Sequence, residues 1–364
     1  MKQTLKVQTK DKEYEIYISD DSFLKLCSDV CEFTSGQKRL VVISKKVYKL
    51  YSKELNFCAD EILALNDGEK EKNIKNYMKI LECALKTGLT RKDVIIAVGG
   101  GVIGDIAGFA ASTYMRGIDF IQIPTTLLAG VDSSVGGKTA IDLKGGKNTA
   151  GSFYQPKAVF ININFLKTLD KRQYLSGLGE VLKYAFIEKS CECEKELYLL
   201  ELLTLECEKV MSREPFTIIR IIEYCLNLKI AVVNRDEKEN GLRRVLNFGH
   251  TSAHALETVT KYKKYTHGEA VAYGMFFIIR WAYKKEYISP SYYKMAAELL
   301  KTYGFEPLKD KYPPKQLLSV MQKDKKADPN KITFIVPCGK KSVKEIKLSP
   351  VETEKMLEEQ LCAP

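Results

Sequence analysis

The sequence predicts an α/β domain built on a parallel sheet over residues 1–168, followed by a predominantly helical domain over 169–364. Three observations predict this. Apolar strand runs alternate with helical stretches through the first half, the pattern of a parallel sheet covered on both faces. A glycine-rich turn, G-x-G-x-x-G at Gly99, Gly101 and Gly104, directly follows one of those runs. Near residue 170 the texture changes to long amphipathic segments with few strand signals.

In chain order, LKVQT (5–9) and EYEIYIS (13–19) flank Lys10, Asp11 and Lys12 and read as a β-hairpin. RLVVIS (39–44), EILAL (61–65) and DVIIAV (93–98) read as buried strands, with helices near 46–54 and 72–88. Helices are expected over 171–189, 195–212, 214–234, 246–262, 268–286 and 290–303. ITFIVP (332–337) and SVKEIK (342–347), joined by CGKK, read as a late hairpin. There is no internal repeat or low-complexity linker, so the expected boundary is a change of pattern, not a tether.

Composition narrows the function. With 45% apolar residues in 364, two cores can form. The opening MKQTLKVQTK alternates like a strand, no basic leader precedes an apolar run, and no apolar run is long enough to span a bilayer, so a cytoplasmic, membrane-free protein is expected. The net charge of +11 comes from dispersed lysines with no basic helix or aromatic-interleaved basic stripe to mark a nucleic-acid partner; an anionic small substrate accounts for it as well, and an ordinary solvated surface accounts for most of it. The ten cysteines are scattered without a CxxC pair and read as reduced thiols.

The chemistry-bearing residues are concentrated. All three histidines, His250, His254 and His267, fall within eighteen positions. His250 and His254 share a helix face, and His267 opens the next helix, a common way to assemble a divalent-metal site. The pair lacks the internal Glu of the zinc-protease motif. Upstream, SGLGEVLKYAF puts Glu180 and Lys183 one turn apart, and spacing does not select Glu180 over Glu257 or Glu269 as a ligand. The glycines at 99–104 allow close backbone approach to a pyrophosphate at a helix start, although no acidic residue follows at the customary distance. A second glycine-rich stretch, 124–151, presents Lys138 and Lys147 after paired glycines. It is not a Walker loop, because Asp132 stands at its first glycine position.

Taken together, DGEKEK (67–72), GGGVIGD (99–105), VDSSVGGKTAID (131–142), Lys147-Asn148, GEVLK (179–183), RRVLNFGH (243–250) with His254, and HGEA (267–270) closely resemble the 3-dehydroquinate synthase family, in order and through nearly the whole chain. The resemblance implies a Rossmann-like NAD-binding α/β domain, an all-α C-terminal domain, and an active site in the cleft between them. It implies an NAD- and zinc- or cobalt-dependent carbon–oxygen lyase of the shikimate pathway that converts the sugar acid phosphate DAHP into 3-dehydroquinate and phosphate. An alcohol is oxidised by NAD, phosphate is eliminated, the ketone is reduced again, and the opened ring closes by an aldol step. By the same resemblance Glu180, His250 and His267 are the metal ligands, leaving His254 for proton transfer. Asp67, Gly68, Glu69, Lys70, Glu71, Lys72, Gly101, Val102, Ile103, Gly104, Asp105, Thr125, Thr126, Lys138 and Lys147 resemble the NAD contacts. Asp132, Lys138, Lys147, Asn148, Lys183, Lys229, Arg243 and Asn247 resemble the substrate shell. Arg116, reaching across a homodimer, and Lys325 or Lys326 resemble further phosphate contacts. Ala253 stands where the family usually has glycine, with little chemical effect expected. The competing readings are another sugar-phosphate cyclase, a metal-dependent glycerol or alcohol dehydrogenase, and a non-enzymatic phosphate binder.

Overall fold

The computed structural model describes residues 2–310, 312–323 and 330–361. The first elements are β1 (Lys2–Gln8), β2 (Glu13–Ser19), α1 (Phe23–Phe33), β3 (Arg39–Ser44), α2 (Lys45–Tyr51), β4 (Glu61–Leu65), α3 (Ile74–Thr87), β5 (Val94–Gly99) and α4 (Gly101–Thr113). Strands β6 (Asp119–Pro124), β7 (Lys138–Leu143), β8 (Gly146–Phe153) and β9 (Ala158–Asn162) follow. The helices come next: α5 (Lys171–Ile187), α6 (Leu199–Leu205), α7 (Cys207–Met211), α8 (Pro215–Arg235), α9 (His250–Val259), α10 (His267–Lys284), α11 (Pro290–Thr302) and α12 (Pro314–Lys323). A hairpin of β10 (Ile332–Gly339) and β11 (Ser342–Leu348) precedes α13 (Pro350–Leu361).

These elements form two compact units, Met1–Asp170 with Arg213–Asn234, and Lys171–Ser212 with Arg235–Pro364. Helix α8 thus belongs with the first unit, where a single boundary at 168 would put it with the second. Its contacts give the reason: Lys229 pairs with Asp132, and Asn234 accepts the Gln8 N–H.

The first unit is built on one sheet in the order β1-β2-β9-β6-β5-β3-β4, parallel at every junction except β1–β2. Side chains alternate across it as the two-residue period requires. Leu40, Val42, Ile95 and Ala97 enter the core beneath α3 and α4, while Val41, Ile43, Ile96 and Val98 enter the core beneath α1 and α2. Two of its strands, β6 and β9, are absent from the sequence expectations. At six and five residues they match β3, β4 and β5 in length, but Pro124 ends one and Pro156 lies just before the other, and proline reads as a break. The stretch 124–151, expected as flexible loop, instead forms a π-helical turn at Ala129–Ser133 and the separate antiparallel hairpin β7–β8.

The second unit is helical with one hairpin, as expected, but two helices are shorter than the periodicity predicts. Segment 195–212 breaks at Glu206 into α6 and α7. Segment 246–262 shortens to α9 because Gly249 adopts a left-handed φ of 78°, and a Cβ there would lie 2.9 Å from the Val271 carbonyl. A glycine that satisfies both demands ends the preceding 3-10 turn and makes His250 the first residue of α9. Among the described residues no helix is long and apolar enough to cross a membrane.

Candidate functional site

Three elements of the second unit converge on one cluster. Helix α5 supplies Glu180 from its buried middle, α9 supplies His250 at its first position, and α10 supplies His267 at its first position. The approach of α5 to α10 depends on two glycines. A Cβ on Gly179 would meet the Gly268 carbonyl at 2.4 Å, and a Cβ on Gly268 would meet the Ser176 carbonyl at 1.8 Å. Ser176 Oγ also accepts the Gly268 N–H at 3.1 Å. Glu180 Oε1 then lies 3.4 Å from His250 Nε2 and 3.4 Å from His267 Nε2, with side-chain exposures of 1%, 12% and 28% in that order.

Each imidazole is aimed by its other nitrogen. His250 Nδ1 meets the Phe248 carbonyl at 3.1 Å, and His267 Nδ1 meets Glu257 Oε1 at 3.3 Å. Such partners set ring orientation and tautomer, leaving Nε2 to face the common centre. Burial drives the His250 pKa down to about 3 against the pull of Glu180, so its ring is neutral and carries a lone pair. Burial also opposes charge on His267, but hydrogen bonds to Glu180 and Glu257 outweigh it and raise that ring to about 9. A proton held between two carboxylates marks a position a divalent cation would take over. Lys183 Nζ sits 2.5 Å from Glu180 Oε2, so the two oxygens of this carboxylate serve different partners. Among the described residues, Glu180, His250 and His267 form the one group of donors with spacing fit for a metal ion, their ligand atoms all within 4.8 Å of one another. Two imidazole nitrogens and one carboxylate oxygen with anchored rings suit zinc or cobalt.

The geometry separates the candidates that spacing treats alike. His254 meets His250 edge-on at 5.4 Å and stacks with His267 at 6.2 Å, between ring centroids, but is exposed and outside the donor trio. Of the three carboxylates, Glu180 faces both imidazoles and Glu257 stands behind His267. Glu269 closes a capping box with Thr266 and holds Arg172. Glu257 was legible in sequence only as a possible ligand, though it lies two helical turns after His250 on α9. Arg243 is buried, its guanidinium donating to the Glu237 carbonyl and its backbone N–H to Asp236, while Asn247 donates to Glu239 at 2.7 Å.

In the first unit, α4 begins at Gly101 directly after β5, and its N-cap Gly100 provides no side-chain cap. The helix start therefore presents open N–H groups to an anion. Gly104 allows α4 to lie against β6, since a Cβ there would come 2.6 Å from Gln122 Oε1. Thr125 is buried beside this turn, donating its N–H to the Gly99 carbonyl, and Thr126 Oγ1 accepts from Ala129. Val102 and Ile103 continue the turn as helix, and Ile103 packs into the core. Lys72 is buried, 2.5 Å from Asp105 and 3.8 Å from Glu69, and Lys147 reaches Glu69 at 3.3 Å. Burial works against the charge of Lys72, yet Asp105 and Glu69 raise its pKa and keep it a cation. Asp67, Gly68, Lys70 and Glu71 form the loop and 3-10 turn around this network.

Asp132 lies in the π-helical turn and takes Lys229 of α8, at 2.9 Å through its carboxylate and 2.6 Å through its carbonyl. Lys138 opens β7 and is exposed. Asn148, at a left-handed φ of 54°, donates its N–H to Asp142. Arg116 is exposed in a tight turn where Met115, Arg116 and Gly117 all have positive φ. Lys325 and Lys326 lie outside the described residues.

The chain thus has a parallel α/β unit with a glycine turn and a helical unit carrying a cluster of two histidines and one carboxylate with spacing fit for a metal ion. Solved structures agree on the fold. A 2-deoxy-scyllo-inosose synthase complexed with carbaglucose-6-phosphate, NAD+ and Co2+ superposes with a TM-score of 0.82 at 24% identity, covering 99% of this chain and 100% of its own. A 2-epi-5-epi-valiolone synthase from Streptomyces hygroscopicus with NAD+ and Zn2+ bound gives 0.83 at 22%, covering 97% and 98%. A probable glycerol dehydrogenase from Sinorhizobium meliloti gives 0.68 at 14%, covering 95% and 96%. Sequence relatives narrow the choice. Residues 62–176 match the 3-dehydroquinate synthase N-terminal family and residues 177–327 the C-terminal family. The 3-dehydroquinate synthase of Alkaliphilus metalliredigens is 44% identical over 352 residues, 96% of either chain, and that of Endomicrobium trichonymphae is 46% identical over 346 residues, 92% of either chain. The chain belongs to the 3-dehydroquinate synthase family.

Proposed function

We propose that the chain converts DAHP into 3-dehydroquinate and phosphate, acting as an NAD- and divalent-metal-dependent carbon–oxygen lyase. The observation that carries this reading is the Glu180, His250 and His267 cluster, with both Nδ1 atoms anchored, in a chain of this family. When bound, NAD takes up and returns a hydride while zinc or cobalt polarises a substrate hydroxyl. Glu180, His250 and His267 would hold the ion. Asp67 to Lys72, Gly101 to Asp105, Thr125, Thr126, Lys138 and Lys147 would hold NAD, with the open start of α4 toward its pyrophosphate. Lys138, Lys147, Lys183, Lys229 and Arg243 are cations suited to the carboxylate and phosphate of the substrate, with Asp132, Asn148 and Asn247 orienting its hydroxyls. Salt-bridge partners already fix Lys183 and Lys229, so these ammoniums bind without being ordered first. His254, outside the donor trio, is the ring placed to move a proton. We assign the protein to the cytoplasm as a homodimer, with Arg116 of a second copy as a further phosphate contact.

The test is phosphate release from DAHP with NADH followed in parallel. Phosphate should accumulate over many turnovers with NAD required and no net NADH. NADH rising in step with turnover would instead support the dehydrogenase, and phosphate release from another sugar phosphate but not DAHP would support a different cyclase.

A further inference from the structure

No pair is visible among the scattered cysteines of the sequence, yet the fold brings two of them together. Cys31 near the end of α1 and Cys58 in the loop before β4 stand with their Sγ atoms 3.0 Å apart. The sulfurs are not what holds them there. Arg39, the first residue of β3, donates to the Cys31 carbonyl at 3.0 Å and to the Cys58 carbonyl at 3.4 Å, with its Nε on Thr34 Oγ1 at 2.6 Å. Its backbone also exchanges two hydrogen bonds with Asp60. Cys58 is exposed, at a left-handed φ of 49°, and Cys31 is half-buried behind it. A cavity of about 100 Å³ borders the same loop, lined by Val41, Ile43, Leu55, Phe57, Ala59 and Ile62. The loop therefore has space to close the roughly 1 Å that separates this contact from a bond of about 2.05 Å.

We infer that Cys31 and Cys58 form a reversible redox site, a dithiol that low-molecular-weight disulfides convert into an intramolecular disulfide. Cys58, the exposed sulfur, attacks one sulfur of the oxidant as thiolate and expels the other as a thiol. Cys31 then gives up its proton, attacks Cys58 Sγ and expels the second thiol. Two protein thiols are oxidised, and one small disulfide is reduced to two thiols. The order follows from the surroundings. Burial and the Cys58 contact push the Cys31 thiol up to about 12, with Arg39 working the other way, so Cys31 keeps its proton until it resolves the mixed disulfide. Cys27, one turn earlier on α1, is buried and its thiol is pushed up to about 11 by burial, which keeps it out of the exchange. The bond would tie α1 to the loop entering β4 and close the chain around β3 and α2.

The experiment incubates the full native chain at graded ratios of reduced to oxidised glutathione, blocks remaining thiols, and maps peptides. The expected product links Cys31 to Cys58, while Cys338, also exposed, carries glutathione. Cys31→Ser should turn Cys58 into a lasting glutathione adduct. The oxidised wild type should unfold about 5–10 °C higher, reversibly with dithiothreitol. The inference falls if wild-type Cys58 stops at the glutathione adduct, pairs with Cys27, or stays a free thiol while Cys338 is modified.

Discussion

Replacing Gly268 by alanine tests whether backbone packing sets the spacing of the proposed metal ligands. The added Cβ would lie 1.8 Å from the Ser176 carbonyl oxygen, where real Cβ contacts do not fall below 3.0 Å. The α5–α10 contact must therefore open by about 1.2 Å, and because the obstacle is backbone no rotamer change can relieve it. Overpacking of this kind costs roughly 1–3 kcal/mol, and a backbone clash belongs at the upper end, so the unfolding midpoint should fall by about 6–12 °C. The same opening moves His267 away from Glu180, which it faces across 3.4 Å, and zinc affinity should weaken at least about tenfold. Thermal unfolding and zinc competition against a chromophoric chelator read the two effects separately. Gly339→Ala is the control, since no atom lies within 4 Å of its added methyl group. If Gly268→Ala melts with Gly339→Ala and binds zinc equally well, close helix packing does not set the ligand spacing, and the reasoning fails.

Glu257→Gln should weaken zinc binding about tenfold and Glu257→Ala about a hundredfold, or about 1.4 and 2.7 kcal/mol, because the carboxylate behind His267 is lost in charge and then in shape. Chelator competition checks this, and unchanged affinity in both variants would make Glu257 a packing residue only. His254→Ala should keep full zinc content while phosphate release slows by roughly 10²–10⁴-fold, whereas His250→Ala should lose the ion; zinc analysis of a folded, metal-free His254→Ala would return that histidine to the ligand set. Asp236 tests linkage to pH. Burial opposes its charge, but N–H groups of Arg243, Asn240 and Gly241 outweigh this and lower its pKa. A lowered folded pKa adds stability above the ordinary carboxylate value near ~3.9 that is lost as pH falls through the folded value. Asp236→Asn should therefore unfold a few degrees earlier at neutral pH, and the gap should shrink below about pH 4 in parallel thermal scans.

What the sequence disclosed follows the reach of its periodicities. Strands β3, β4 and β5 and helices α5, α10 and α11 lie within a few residues of their expected spans, because long apolar runs and stripes are local signals. Strands β6 and β9 are of similar length but lie beside proline, which reads as a break, and their place in the sheet is set by the neighbours they pair with. The hairpin β7–β8 was hidden by its glycines, which read as loop yet pair as strand. Helix α8 was seen as a helix but not as a member of the first unit, since membership rests on Lys229 meeting Asp132, 97 positions away. The Cys31–Cys58 contact was hidden in the same way, its partners separated by β3 and α2.

The three carboxylates near the histidines show where sequence reasoning stops and why. Glu180, Glu257 and Glu269 each sit on a helix that carries or meets a histidine, and each is chemically able to bind a cation. Their environments differ through contacts no spacing encodes. Glu269 is three residues after Thr266, so its carboxylate folds back to the N-cap and is held there by Arg172. Glu257 points from α9 to the far nitrogen of His267, and from that side it can orient the ring but not share its ligand face. Glu180 alone stands where Nε2 of both rings is 3.4 Å away, because two facing glycines let α5 approach the start of α10. The motif GEVLK thus sets two features in adjacent positions, the carboxylate of Glu180, proposed above as a ligand, and, in Gly179, the absence of a side chain that lets this carboxylate reach both imidazoles.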